Sequence, residues 1–339
     1  LNYEAISAAY PLMVQSISGG LEKISAEGIH GKKIDLSTYL TEIILRNALI
    51  LILGQEDDTE RLGKAFLEAN RICGARIRGL VPFSAYWPSS KNRELKKCIR
   101  SIDEAIFSLI EKRIKNSANQ GPDLLSVLIR SNFAKSQIRD HVVTFLFAGY
   151  ETTASSLVWT LSLLSRNRQV EARIRDECGQ IISGGSPTLP DLRKLSYTLN
   201  VYQESLRLFP PSWTLAREVT TETQLGGHIL KKGTIVLLGV GQIQKHPVFW
   251  DDGNTFNPDR FGNGWPKHPY SFIPFGGGSR ICIGKNTALI EATLFLALAV
   301  PKFKFHLSPE FVPEVEALIT AHPKNGLPVQ VEPLSEGVR

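Results

Sequence analysis

A change of periodicity late in the chain limits the fold more than any other feature. Over roughly the first 180 residues, apolar side chains recur every three to four positions, the spacing that gives a helix one buried face. Leu21 and Ile24 start this pattern, and residues 36–53, 62–78 and 95–115 continue it, the last with basic residues on its wet face. Asp35 or Ser37 is placed to cap the second stretch by accepting from first-turn amides. Residues 81–90 read as a loop from Pro82, Pro88, Ser89 and Ser90, and Asn119-Gln120-Gly121-Pro122 ends the next helix. Asp123 then caps a short helix. Ser136 is expected to cap the longest one, which runs to about residue 166 and spans roughly 45 Å at 1.5 Å per residue. Helices over 170–182 and 192–208 follow, stopped by Gly184-Gly185-Ser186-Pro187 and by Pro210-Pro211.

Beyond these prolines the pattern shortens and alternates. Residues 216–221, 224–229 and 234–239 are predicted strands, with turns at Gly226-Gly227 and Lys232-Gly233. A loop-rich stretch over 251–278 leads to Cys282, which introduces a last helix to about residue 300. Residues 302–306 and 328–332 are predicted as a final strand pair. The expected class is mainly α with small β-sheets, an α+β fold. No repeat, low-complexity tract or linker interrupts the chain, so one domain over 1–339 is expected.

Composition removes several function classes. Net charge is +6 with no dense basic run, which argues against nucleic acid as a partner. No run of about 18 unbroken apolar residues is present, and the apolar stretches 48–53 and 292–300 read as buried helix. No signal peptide opens the chain, whose first residue is Leu1. The cysteines, Cys73, Cys98, Cys178 and Cys282, lie far apart without a CxxC pair, so neither a zinc ribbon nor a disulfide framework is expected.

The chemistry concentrates at Phe275-Gly276-Gly277-Gly278-Ser279-Arg280-Ile281-Cys282-Ile283-Gly284. Glycines allow a tight backbone whose amides point at sulfur. The positive end of the following helix favours thiolate. A buried free cysteine after a flexible loop is the plainer alternative. A phosphate loop at Gly284-Lys285 fails on spacing, because Ser279 and Asn286 stand where that motif requires Gly and Ser/Thr. Elsewhere, Glu204 and Arg207 share a helix face, a pairing usually exposed and worth about 0.2–0.5 kcal/mol. Within the longest helix, Ala148-Gly149-Tyr150-Glu151-Thr152-Thr153 places small residues where a flat ligand can approach. Thr152 is positioned to return its hydroxyl to the Ala148 carbonyl, and Glu151 to pass protons inward.

The cysteine decapeptide resembles the heme-binding loop of the cytochrome P450 family, matching Phe-Gly-x-Gly-x-Arg-x-Cys-x-Gly in full, with Ala288 at the small-residue position after it. Glu204-Ser205-Leu206-Arg207, Asn257-Pro258-Asp259-Arg260-Phe261 and the 148–153 segment resemble further family motifs in the same order. The resemblance implies a P450-like fold of the eukaryotic type that lacks its N-terminal part. It implies heme b (iron protoporphyrin IX) held through Cys282 as the metal ligand, with Phe275 shielding the sulfur and Gly284 beside it. Arg280 and Arg217 would reach the propionates, and Glu204, Arg207 and Arg260 would form a buried supporting cluster. Glu151 and Thr152 would organise proton delivery to O2. Phe145, Ala148, Pro211, Ser212, Trp213 and Thr214 would wall a pocket for a small apolar substrate, as in secondary metabolism.

Electrons would come from NADPH through an NADPH–cytochrome P450 reductase-type donor docking near Lys285. By analogy with eukaryotic members, a preceding anchor would place the protein in the endoplasmic reticulum membrane, on its cytoplasmic face. A heme-thiolate isomerase or dehydratase, and a non-catalytic remnant without heme, are the rival readings.

Overall fold

The computed structural model describes residues 3–28, 32–54, 59–78, 89–116, 121–262, 266 and 268–334. Helices dominate, and short antiparallel strands gather late in the chain, the α+β class expected. By contacts the chain divides into two compact units, Leu1–Glu22 with Tyr39–Glu151, and Lys23–Thr38 with Thr152–Arg339.

The first unit is helical. It holds most of α1 (Tyr3–Gly28) and α2 (Leu36–Leu53), all of α3 (Thr59–Arg78), α4 (Ser90–Lys115) and α5 (Leu124–Arg130), and the first half of α6 (Lys135–Leu164). Its core is aliphatic: Met13 and Ile17 of α1, Leu40 and Ile44 of α2, and Ile106 and Ile110 of α4 are fully buried. Among the described residues α2 is the one helix long and apolar enough, by length and composition, to cross a membrane. Since 61% of that stretch is buried within the fold, it serves as a core helix.

Caps explain the helix starts. Ser89 begins α4 by accepting from Asn92 N at 3.1 Å. The predicted loop therefore ends at the cap itself; its residues 81–88 lie outside the described residues, as do Asn119 and Gln120. Asp123 caps α5 through Ser126 N (3.0 Å), as expected. Ser136 does not cap α6, a correction to the sequence reading. The helix begins one residue earlier, at Lys135, so Ser136 already sits in its first turn. The reach-back comes instead from Gln137, whose Oε1 accepts from Ala134 N at 3.0 Å.

Arg113 ties three helices of this unit together. Its buried guanidinium donates to Asp123 Oδ2 (2.8 Å), Ser126 Oγ (2.8 Å) and the terminal α2 carbonyl of Leu53 (2.7 Å).

The second unit contains the strands. β1 (Ile34–Asp35), β6 (Phe303–Leu307) and β9 (Pro328–Pro333) form a three-stranded sheet in the order β1-β9-β6. β2 (Leu215–Glu218) pairs with β5 (Ile235–Leu238), β3 (Thr223–Leu225) with β4 (His228–Leu230), and β7 (Val315–Ala317) with β8 (Ala321–Pro323). The stretch predicted as one strand over 224–229 is a hairpin. Gly226 (φ 57°) and Gly227 (φ 83°) both adopt positive φ, the requirement of a tight two-residue turn. Asp35, not Ser37, caps α2, accepting from Ser37 N (3.1 Å) and also from Leu327 N (2.8 Å) beside β9.

The helices of this unit are α7 (Arg168–Ile181), α8 (Leu189–Leu192), α9 (Ser196–Leu208), α10 (Val240–Ile243), α11 (Lys285–Ala299) and the second half of α6. One helix was expected over 192–208; the capping box of Thr188 and Asp191 starts the separate α8 instead. α9 has no side-chain cap of its own. Glu177 of α7 supplies one, accepting from Tyr197 N (2.7 Å) and Thr198 N (2.8 Å). α11 is buried on every side from Glu291 to Ala299 and forms the centre of the unit.

The Arg113 junction is testable by denaturation. Asp123→Ala leaves a buried guanidinium without its counter-charge and removes the α5 cap. It should lower unfolding free energy by about 3–5 kcal/mol. Asp123→Asn, which keeps the cap but removes the charge, should cost less than Asp123→Ala and still destabilise clearly; wild-type stability of Asp123→Asn in urea titrations would remove the ion pair from this account.

Candidate functional site

Arg207 lies fully buried on the last turn of α9, and each of its five N–H groups has an acceptor. Nε and Nη2 form a fork on Glu204 Oε2 (2.7 Å) and Oε1 (2.8 Å). Nη1 donates to the carbonyls of Gln244 (2.8 Å) and Gly253 (2.6 Å), and Nη2 also to Thr255 (3.1 Å). The Trp250 ring covers the guanidinium, 4.6 Å from centroid to Cζ. Glu204, itself 0% exposed, further accepts from Asn257 N at 2.9 Å.

Arg260 completes the group. Its Nε stands 3.4 Å from Glu204 Oε1, a charge contact without a directed hydrogen bond, while Nη1 and Nη2 donate to the carbonyls of Asp251 and Asp252. The neighbouring Asp259 receives a two-pronged contact from Arg173 of α7 (2.9 and 2.7 Å), which holds its carboxyl below the usual range. The turn over Pro258–Gly262 is thus fastened to two helices.

Gln244, which sequence reasoning did not single out, joins this cluster to the cysteine loop. It is fully buried, its Nε2 donating to the Leu206 and Arg207 carbonyls (3.0 and 3.1 Å) while Oε1 accepts from Ile273 N (2.9 Å). A lone glutamine carries no spacing signal, and only its burial reveals the role. Trp250 was missed for the same reason; its Nε1 donates to Ser271 O at 3.2 Å.

From Ile273 the chain enters the loop. Gly276 (φ 72°) and Gly278 (φ 66°) take left-handed conformations that other residues rarely adopt. They let the strand of backbone double back, so that Cys282 N donates to Phe275 O at 2.9 Å. Phe275 is half-buried; Arg280 and Cys282 are exposed. α11 begins at Lys285 with Gly284 as its cap residue and no side chain occupying its first amides. A β-carbon added at Gly284 would stand 3.8 Å from the Cys282 sulfur, so the thiol sits over the first turn of that helix. Cys178, by contrast, is buried, and its thiol is pushed up to about 12.

A heme would fit the loop on one observation. Ile281 and Ile283 flank the exposed thiol at 50% and 64% exposure, an apolar platform suited to a flat hydrophobic ring.

The remaining expected residues are distributed as follows. Arg217 is exposed on β2, and its Nη1 donates to the Ala216 carbonyl (2.8 Å). Phe145 is half-buried and Ala148 exposed on the α6 stretch of the first unit, where Glu151 is the last residue; Thr152, half-buried, is the first α6 residue of the second. Pro211, Ser212, Trp213 and Thr214 follow α9 in the second unit. The β7–β8 hairpin, not foreseen, is stitched to them. Ala321 N donates to Pro211 O (2.8 Å), Trp213 Nε1 to Leu318 O (3.1 Å), and Ser155 Oγ of α6 to Ala321 O (2.7 Å).

Comparison with known proteins agrees with this geometry. A family model described as cytochrome P450 matches residues 4–327. "Putative cytochrome P450 132" of Mycobacterium tuberculosis (strain ATCC 25618 / H37Rv) is 36% identical over 330 residues, covering 90% of this chain and 71% of that protein. "Cytochrome P450 72A13" of Arabidopsis thaliana is 35% identical over 276 residues, 77% of this chain and 54% of its own length. "Cytokinin hydroxylase" of Arabidopsis thaliana is 34% identical over 278 residues, with 78% and 54% covered. On the family match and on these identities, the chain belongs to the cytochrome P450 family of heme-dependent monooxygenases.

Proposed function

We propose that this protein inserts one atom of O2 into a small apolar substrate, with Cys282 as the thiolate ligand of heme b. The observation that carries the reading is the exposed sulfur over the uncapped first turn of α11, set between two exposed isoleucines. The family match runs through both compact units, which supports reading 1–339 as parts of one P450 domain.

When bound, the heme would supply oxygen activation, with Cys282 as the residue that would hold its iron. The chain's own contributions follow from its residues. The open first turn of α11 lies beside the Cys282 sulfur, and half-buried Phe275 is assigned to its shielding once the heme is bound. Arg280 and Arg217 offer charged donors to the propionates. The cluster of Glu204, Arg207 and Arg260 fixes the segment leading to the loop, a supporting and not a chemical role. Glu151 holds and moves protons, and the Thr152 hydroxyl orients them. Family resemblance supports substrate contact for Phe145 and Ala148 of the first unit and for Pro211, Ser212, Trp213 and Thr214 of the second, and their largely apolar character suits a lipid-like molecule. The Glu151-Thr152 pair favours oxygen insertion over isomerisation, which needs no proton delivery to oxygen.

Electrons are assigned to NADPH through a flavoprotein reductase approaching near Lys285, and the protein to the endoplasmic reticulum membrane. Family resemblance supports both assignments.

Cys282→Ala should abolish the red-shifted Soret band of the reduced, carbon monoxide-treated protein; survival of that band would refute thiolate ligation. Arg207→Lys tests the supporting cluster. A lysine offers three donors and no fork, so several buried carbonyls lose their partner, at a cost of about 3–5 kcal/mol. Heme content should fall although Cys282 is untouched, and full retention would separate the cluster from the cofactor. Thr152→Ala should raise hydrogen peroxide released per NADPH consumed without changing the carbon monoxide spectrum. Unaltered coupling would remove the role given to that hydroxyl.

A further inference from the structure

Proton handling at Glu151 leaves its neighbour unexplained. Tyr150 is 1% exposed, and its ring meets Phe66 of α3 edge-on at 5.8 Å. Its hydroxyl receives a bond of 2.5 Å from Asn70 Nδ2, also on α3. The same nitrogen stands 3.4 Å from Glu151 Oε2. All three residues belong to the first compact unit.

Asn70 Nδ2 is the atom that faces both oxygens, so the NH2 is on the side of Tyr150 and Glu151 and the carbonyl turns away. One N–H of that nitrogen is directed at the phenol oxygen, and the other is on the side of the carboxylate. Burial, with the charge of Glu151 added, pushes the Tyr150 phenol well above its usual range. The phenol therefore stays neutral throughout the working pH range and acts as an anchor, not a proton carrier.

We infer that Asn70 is a positioning residue for Glu151: the buried Tyr150 hydroxyl orients its amide, and the amide holds the carboxylate in its proton-transferring direction. This rests on the role proposed above for Glu151. A merely structural Asn70–Tyr150 bond would pin α3 to α6 and leave the carboxylate's behaviour unchanged, so the two accounts differ in measurable ways.

The test uses the heme-loaded full chain with a flavoprotein reductase and no added substrate. Wild type, Asn70→Ala, Tyr150→Phe, the double variant and Glu151→Gln are compared. Peroxide released per NADPH oxidised is one readout. The other is the infrared carboxylate band that Glu151→Gln removes, which reports hydrogen bonding to that side chain independently of turnover. Asn70→Ala should shift the band and raise peroxide yield about threefold or more, towards the Glu151→Gln value. Tyr150→Phe should act in the same direction but more weakly, and the double variant should be no worse than Asn70→Ala.

If Glu151→Gln raises the yield while Asn70→Ala leaves both yield and band at wild-type values, the positioning role is wrong and the role of Glu151 stands. If Glu151→Gln itself changes nothing, the proton-handling reading fails and this inference with it. Should Asn70→Ala not fold, Tyr150→Phe decides, since it keeps the ring packing; an unshifted band there overturns the inference.

Discussion

A single guanidinium holds the second unit in register. Arg207 is charged, fully buried and saturated, with each N–H donating either to Glu204 or to a carbonyl of the 244–255 segment. Burying such a charge is costly unless every donor is matched, and matching it requires Glu204, Gln244, Gly253 and Thr255 to arrive together. The geometry is accordingly all-or-none. Where Gly253 approaches, an added β-carbon would lie 2.3 Å from the Lys245 carbonyl oxygen, so the backbone there has no room for another residue. Arg260 and Asn257 bring in the next turn, and Gln244 passes the constraint to Ile273 at the mouth of the cysteine loop. The loop's shape is thus set by a cluster that lies outside it in sequence.

The cysteine loop shows the opposite economy, since almost everything in it is local. Two left-handed glycines, one short turn over Gly278–Arg280 and the start of α11 suffice to present the sulfur. Local devices of this kind leave a spacing signature, and the decapeptide was legible in the sequence for that reason. The pairing of β6 with β9 was legible too, because both strands carry alternating apolar residues such as Phe303, Phe305, Val329 and Val331.

What stayed hidden was long-range or a matter of degree. Gln244 and Trp250 act through burial, which one glutamine and one tryptophan do not advertise. The β7–β8 hairpin is short and irregular, and its tie to Pro211 and Trp213 is made by backbone groups that any sequence would supply. At 224–229 the Gly226-Gly227 turn was legible, but one strand was drawn across it where two short strands flank it. Ser136 was chosen as a cap on residue type alone, whereas Gln137 reaching back to Ala134 performs part of that task. Asn70 is a polar residue on a helix whose periodicity said only that it faced somewhere between core and water.

The cap that α9 borrows from Glu177 has a consequence for assembly. A helix whose first amides are satisfied by a side chain about twenty positions earlier cannot be fully stable as an isolated segment, since a missing cap forfeits about 0.5–2 kcal/mol. As the polypeptide leaves the ribosome, α9 must wait for α7 to fold beside it. Only afterwards can the residues from Gln244 onward find Arg207 already in place. The order of synthesis therefore matches the order of dependence, because α7, α9 and the 244–255 segment follow one another along the chain.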